Sequence, residues 1–251
     1  MAGHSKWANI KRQKARVDAK KGKTFTQLSR AIIVAARNGV ADPDGNFQLR
    51  TAIDKAKAAG VTNDSIERSL AKGAGTYQDD DAQLEEIRYE GYGIGGVAIL
   101  IEALTDNRNR TVAFLREAFT KNDGNLGETG CVSWMFEQKG VVTLETVDEE
   151  KLLKASVEGE ADTYEIYEEG AEVFTTIDNL ENLNQTLQKY DFPIQDVELR
   201  WIPNNNIEIT DPDRARSLLR LIDALESLDD VQNVTANFEM SEELMVQLTN
   251  H

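Results

Sequence analysis

Cysteine and histidine are almost missing from this chain: Cys131 stands alone, and the two histidines, His4 and His251, sit at the extreme ends of 251 residues. A single thiol closes no internal disulfide and suits a reducing compartment. With no histidine near it in sequence, Cys131 reads as a small packing residue rather than a nucleophile. Two terminal histidines assemble no His/Cys metal cluster and make poor members of a Ser/His/Asp or Cys/His relay. Long apolar runs are missing too. The most apolar stretch, Val97 to Leu104, is interrupted by Glu102 and is too short to span a bilayer. Charges from Lys6 onward leave no apolar segment of signal-peptide length. The expectation is a non-membrane, cytoplasmic protein without a cofactor or metal. Carboxylates are plentiful, so acid–base chemistry by two of them in a cleft stays open, although the sequence does not locate such a pair.

Positive charge is scarce overall and concentrated where it occurs. The chain has 28 Lys and Arg against 44 Asp and Glu, a net charge of −16. Between Met1 and Arg37 stand ten of those cations (Lys6, Lys11, Arg12, Lys14, Arg16, Lys20, Lys21, Lys23, Arg30 and Arg37) with one acid, Asp18. This end therefore carries about +9 and the other 214 residues about −25. Such polarity points one end at a polyanion while the acidic body limits indiscriminate sticking. A solvated helix face or tail is the plainer alternative. Trp7, Ile10 and Val17 recur among the cations at near-helical spacing, so the arm is able to order around one apolar stripe. Trp7 reads either as a packing anchor on that stripe or as a platform for an unpaired base, with neighbouring Lys and Arg on the phosphates.

Along the chain, Thr24-Phe-Thr-Gln27 is a capping box opening a helix with Phe25, Leu28, Ile32 and Ala36 on one face, closed by Asn38-Gly39. Asp42-Pro-Asp-Gly45 is a turn. A second helix over 47–59 buries Leu49, Ile53 and Ala56; a third begins at Thr62, with Val61 and Ile66 as a hydrophobic staple, and ends at Gly73. The Gly73-Ala-Gly75 and Asp79-Asp-Asp81 stretches mark a linker. The triple Asp reads as solvated rather than as cation ligands, because consecutive side chains diverge and no EF-hand framework surrounds them.

Strands over 86–90 and 97–104 flank Gly91-Tyr-Gly-Ile-Gly-Gly96. This satisfies G-x-G-x-x-G only formally, because a dinucleotide loop opens a helix and Val97-Ala-Ile-Leu-Ile101 continues as strand. Val97-Ala98 also stand where a Walker A motif needs Lys-Ser/Thr. The glycines read as a hairpin turn whose bare backbone is open to a partner. Asp106 or Asn107 caps a helix carrying Val112, Leu115, Ala118 and Phe119. Arg108 and Arg110 in its first turn oppose the helix dipole; they serve either as surface ion pairs or as phosphate contacts beside the helix N-terminus.

From Gly140 the order is strand 141–145, helix 148–157, strand 163–167, a turn at Gly170, strand 172–176, helix 180–190 and strand 195–201, with Asp178 and Glu181 as another capping signature. That is βαββαβ, the ferredoxin-like split, and it is strongly acidic. After Asn204 to Asn206 come a short strand near Ile207 and Ile209, a helix 212–228 with Leu218, Leu221, Ile222 and Leu225 on one face, and a strand 231–238.

The strings Met1-Ala-Gly-His-Ser-Lys-Trp-Ala-Asn-Ile-Lys11, Tyr89-Glu-Gly-Tyr-Gly-Ile-Gly-Gly-Val-Ala98 and Leu104-Thr-Asp-Asn-Arg-Asn-Arg-Thr111 resemble the YebC family, which also contains the mitochondrial translational activator of cytochrome c oxidase. The resemblance runs the length of the chain. It implies a three-domain, non-enzymatic protein, either a DNA-binding transcriptional regulator or a ribosome-associated translation factor, and it shifts Arg108 and Arg110 toward the phosphate role.

The resulting expectation is an α+β protein of three domains. These are a basic helical bundle (1–78), a split α+β domain (79–139 with 204–251) and an inserted acidic ferredoxin-like domain (140–203), hinged at Lys139-Gly140 and around Asn204 to Asn206. Its function reads as nucleic-acid binding by Lys6, Trp7, Lys11, Arg12, Lys14, Arg16, Lys20, Lys21, Lys23, Arg108 and Arg110. The target is DNA or ribosomal RNA, and the acidic domain is open to a protein partner; a pure protein-interaction adaptor is the further alternative. No helix-turn-helix spacing, zinc finger or RNP aromatic pattern is visible to carry base-specific readout.

Overall fold

Three amphipathic helices open the chain described by the computed structural model, which covers residues 21–77, 84–167 and 170–249. They are α1 (Lys21–Arg37), α2 (Phe47–Ala58) and α3 (Asn63–Gly73). Helix α1 begins three residues before the expected Thr24. Of the residues before Thr24 only Gly22 disfavours helix, and one helical glycine costs only about 1 kcal/mol. The Asn46 side chain accepts from the Leu49 N–H at 3.0 Å and caps α2; Thr62 does the same for Ser65 at the start of α3. Ile32, Ala36, Leu49, Ile53, Ala56, Val61 and Ile66 form the common core. Gly73 lets α1 and α3 cross closely, since a Cβ there would lie 2.6 Å from Ala36 Cβ and 2.7 Å from the Ile33 carbonyl.

The next elements are β1 (Glu85–Tyr92), β2 (Ala98–Thr105), α4 (Arg108–Lys121) and β3 (Asn125–Leu126). β1 and β2 form an antiparallel hairpin, Tyr92 opposite Ala98, with the Gly93 N–H on the Val97 carbonyl at 2.8 Å. The glycine-rich turn holds a short 3-10 segment, Ile94–Gly96. Its Gly95 and Gly96 take φ of 75° and 80°, the left-handed region that side chains avoid.

The chain then builds β4 (Phe136–Leu144), α5 (Glu149–Glu158), β5 (Thr163–Tyr167), β6 (Gly170–Thr175), α6 (Leu180–Lys189) and β7 (Ile194–Pro203). Their sheet has the order β5-β6-β4-β7, the arrangement of a ferredoxin-like split. Two sequence expectations are corrected here. β4 runs unbroken through Lys139-Gly140, so that dipeptide is a strand interior rather than a hinge; Phe136 is already buried and starts the strand. Helix α6 is entered at Asn179 and not by an Asp178 capping box. The Asn179 amide instead donates to the carbonyls of Gly159 and Glu160 and to the Thr175 hydroxyl, bracing the turn before it.

Finally come β8 (Ile207–Glu208), α7 (Pro212–Glu226), β9 (Val231–Ala236), β10 (Phe238–Glu239) and α8 (Glu242–Thr249). β9 does not stand apart: it pairs antiparallel with β2, Ile99 opposite Ala236, and completes a sheet of order β3-β1-β2-β9. Leu115 and Phe119 of α4 and Leu218, Leu221, Ile222 and Leu225 of α7 bury against Ile99, Ile101 and Val234 of that sheet. Two compact units result, 136–202 and the remainder, with the Asn204 N–H on the Met135 carbonyl at 2.8 Å where the chain leaves and re-enters the larger one.

Candidate nucleic-acid interface

Asp230, the residue just before β9, is a buried carboxylate surrounded by donors. It accepts from Thr111 Oγ1 at 2.8 Å, from Arg110 Nη2 at 3.0 Å and from Arg30 Nη2 at 3.2 Å. Arg30 also donates to the Asp229 carbonyl. Burial pushes the Asp230 carboxyl up, but the Thr111 hydroxyl and the Arg110 and Arg30 guanidiniums outweigh it and hold the group below the usual carboxylate range. Nearby, Arg37 Nη1 donates to the Leu84 carbonyl at 2.6 Å and the Asn38 amide to Glu86. Two cations of the basic N-terminal stretch, Arg30 and Arg37, are thus committed to fastening α1 onto the sheet.

Arg108 and Arg110 occupy the first turn of α4, capped by Asn107, whose side chain accepts from the Arg110 N–H at 3.1 Å. Their environments differ. Arg110 is held between Asp106 and Asp230, whereas Arg108 is exposed, with the Tyr89 hydroxyl beside it. Lys21 and Lys23 fall in the first turn of α1. Lys6, Trp7, Lys11, Arg12, Lys14, Arg16 and Lys20 lie outside the described residues, as do His4, His251 and the Asp79 to Asp81 run.

A second buried carboxylate organises the loop between β3 and β4. Glu90 accepts from three backbone N–H groups, Val132 at 2.6 Å, Gly130 at 2.7 Å and Ser133 at 2.8 Å, while its own carbonyl accepts from the Gly127 N–H. Burial raises the Glu90 carboxyl, and the three amides more than offset that, so it too titrates below its ordinary range. The Cys131 carbonyl accepts from the Tyr92 hydroxyl at 2.9 Å and from Trp134 Nε1 at 3.2 Å. The Trp134 indole itself is 70% exposed. Burial and the adjacent Glu90 carboxylate push the Cys131 thiol up, so it stays protonated at neutral pH.

In the unit 136–202, Glu172 is fully buried; its carboxylate accepts from the Tyr167 hydroxyl and from Arg200 Nη1, both at 2.8 Å, and Arg200 also grips Glu198. These bonds occupy Glu172 in holding β5, β6 and β7 together. The unit has 17 acidic and five basic residues, a net −12. Among the described residues no group of three or more His, Cys, Asp or Glu is placed to hold a metal, and no helix is long and apolar enough to cross a membrane.

Asp230, Glu90 and Trp134 escape the sequence reading. Glu90 has one signal, its place inside the Tyr89 to Ala98 string; Asp230 has none, because its partners come from distant segments, and nothing in the local pattern marks Trp134 as exposed.

Fold and sites together define a mixed α+β protein with a basic helical start and an acidic inserted unit. The chain belongs to the TACO1/YebC family: residues 5–76 match the TACO1/YebC protein N-terminal domain and residues 84–238 the TACO1/YebC second and third domain. It is 76% identical over 250 residues to a protein of Gloeothece citriformis (strain PCC 7424), covering 98% of each chain. It is 66% identical over 248 residues to one of Synechocystis sp. (strain ATCC 27184 / PCC 6803 / Kazusa), covering 97% of this chain and 98% of that one. Both relatives carry the name "Probable transcriptional regulatory protein". Among solved structures, a conserved hypothetical protein from Aquifex aeolicus superposes with a TM-score of 0.82 at 44% identity, covering 91% of this chain and 94% of that one.

Proposed function

We propose that this protein is a non-enzymatic regulator of gene expression that binds nucleic acid through its basic N-terminal arm, with duplex DNA as the first target to test. The observation that carries the reading is the charge division, about +9 over the first 37 residues against about −25 elsewhere. The names of the relatives agree with it. In this reading Lys6, Lys11, Arg12, Lys14, Arg16, Lys20, Lys21 and Lys23 contact phosphates and Trp7 packs or stacks among them. Arg108 adds a second contact from the α4 N-terminus, and Arg110 is the weaker candidate because Asp106 and Asp230 compete for it. The acidic unit 136–202, with a net charge of −12, is a poor phosphate-binding surface and serves instead as the surface for a protein partner.

Replacing Lys11, Arg12, Lys14, Arg16, Lys20, Lys21 and Lys23 in groups by Ala is expected to weaken binding and flatten its salt dependence by roughly 0.7–0.9 log units per lost contact. Fluorescence anisotropy at several salt concentrations measures both. A transcriptional regulator prefers particular duplexes over random duplex at fixed salt. The second reading, a ribosome-associated translation factor, is favoured by the family's shared membership with a mitochondrial translational activator. It predicts arm-dependent sedimentation with ribosomes and no duplex preference. Arm-neutralised protein that binds every nucleic acid and ribosome as tightly as the parent overturns both.

A further inference from the structure

Trp134 is an exposed indole on a loop that is otherwise fastened at every turn. The 3-10 segment Ser133–Met135 that carries it follows a stretch whose Gly130, Val132 and Ser133 N–H groups all converge on the buried Glu90 carboxylate at 2.6 to 2.8 Å. The Gly127 N–H is held by the Glu90 carbonyl at 2.7 Å, and Tyr92 clamps the Cys131 carbonyl. Withdrawing a carboxylate from water is costly unless its oxygens are fully hydrogen-bonded, and here that arrangement fixes a surface loop rather than a core element. What the loop presents is the indole.

Its polar edge is already used, since Nε1 donates to the Cys131 carbonyl at 3.2 Å. The ring face is therefore the part on offer, in an orientation set before any ligand arrives, so little rotamer freedom is lost on contact. The surroundings decide between partners. Among the described residues the other large apolar side chains that are exposed, Val40, Tyr77, Phe114, Leu153, Val157, Ile166 and Ile177, all lie off this loop in sequence. A protein-binding tryptophan is ordinarily ringed by further contacts that exclude water, whereas Glu128, Thr129 and Gly130 leave this loop's surface polar and open. A pre-oriented ring face beside exposed polar loop residues suits a planar ligand, and every nucleobase offers one.

We infer that Trp134 is a stacking platform for an unpaired nucleobase, a contact separate from the phosphate grip of the arm. The inference rests on the nucleic-acid reading above. The exposed charged side chain on the loop, Glu128, is an acid, so this contact adds stacking and no salt-dependent attraction. It selects single strands or unpaired bases over intact duplex, whose bases are not available.

The test uses the full chain and four labelled probes of one mixed sequence: 12-nucleotide RNA and DNA single strands and the corresponding RNA and DNA duplexes, each titrated at three salt concentrations. Trp134→Ala is expected to weaken single-strand binding by roughly 5- to 150-fold with the salt slope unchanged. Trp134→Phe loses less, and duplex affinity does not move. RNA and DNA arms report which sugar accompanies the base. Because the side chain is mostly exposed, the variants keep the parental melting curve. Single-strand affinity that survives Trp134→Ala, or an equal loss on duplex, overturns the inference; so does a Trp134→Ala defect confined to capture of a protein. Failure of the arm reading shows separately, as a parental chain whose affinity has no salt slope.

Discussion

Glu90 and Asp230 are both carboxylates withdrawn from water, and both stay ionised because donors outnumber the losses of burial. Their partners differ in kind: three backbone N–H groups on Glu90, hydroxyls and guanidiniums on Asp230. Glu90→Gln replaces one acceptor oxygen by an NH2 group facing N–H donors, and is expected to lower the unfolding free energy by about 1–3 kcal/mol in urea titrations. Asp230→Asn weakens the Arg30 and Arg110 contacts at a cost of about 1.5–3 kcal/mol by the same measurement. Both groups titrate below their ordinary values in the folded state. Their contribution is complete above the ordinary carboxylate pKa, 4.5 for Glu90 and 3.8 for Asp230, and is lost as the pH falls through the lowered folded value. The stability gap between parent and Glu90→Gln therefore closes on acidification, and it stays constant between pH 6 and 8. The partners of neither residue are legible in the sequence, although Glu90 stands inside the Tyr89 to Ala98 string. Glu90 meets its loop 40 to 43 residues later, and Asp230 meets Arg110 and Arg30 at separations of 120 and 200. The arm cations, by contrast, show in a simple count of charge.

At the scale of elements, α2, α3, the β1–β2 hairpin, the βαββαβ order and α7 follow from periodicity, caps and turn residues. Those signals are local, so a single sequence carries them. The errors arise where local signals compete or tertiary partners decide. A capping box at Thr24 is overridden by a helix already under way from Lys21, and Asn179 spends its amide on a neighbouring turn, away from the start of α6. Gly73 is a related case. It looks like a plain helix terminator, yet the contact between α1 and α3 passes over it. Gly73→Ala, harmless at an isolated helix end, is expected to cost about 1–3 kcal/mol through overpacking against Ala36 and the Ile33 carbonyl. Circular dichroism melts of the Ala and Ser variants, graded by side-chain size, check this.

For the whole molecule, the chain enters and leaves the unit 136–202 at adjacent points, the Asn204 N–H bonding the Met135 carbonyl. Excising that unit and joining 135 to 203 through a short Gly/Ser linker is expected to leave a remainder with one cooperative unfolding transition, since α4, α7 and the sheet of β1, β2, β3 and β9 keep their shared core. A remainder without such a transition contradicts the split-domain organisation. The same variant tests the division of labour between units, because arm-dependent nucleic-acid affinity should survive it and binding to any basic protein partner should not.

The pairing of Ile99 with Ala236 has a further consequence for how the protein is made. β2, buried along nearly its whole length in the finished fold, emerges from the ribosome with one flank unpaired. It stays so until β9 follows, on the order of ten seconds later at ordinary elongation rates. During that interval the acidic unit is complete and able to fold, while an apolar strand edge of the larger unit stays unpaired. Any slowing of translation between those segments lengthens the exposure, so the yield of soluble protein depends on the speed at which residues 136–230 are read.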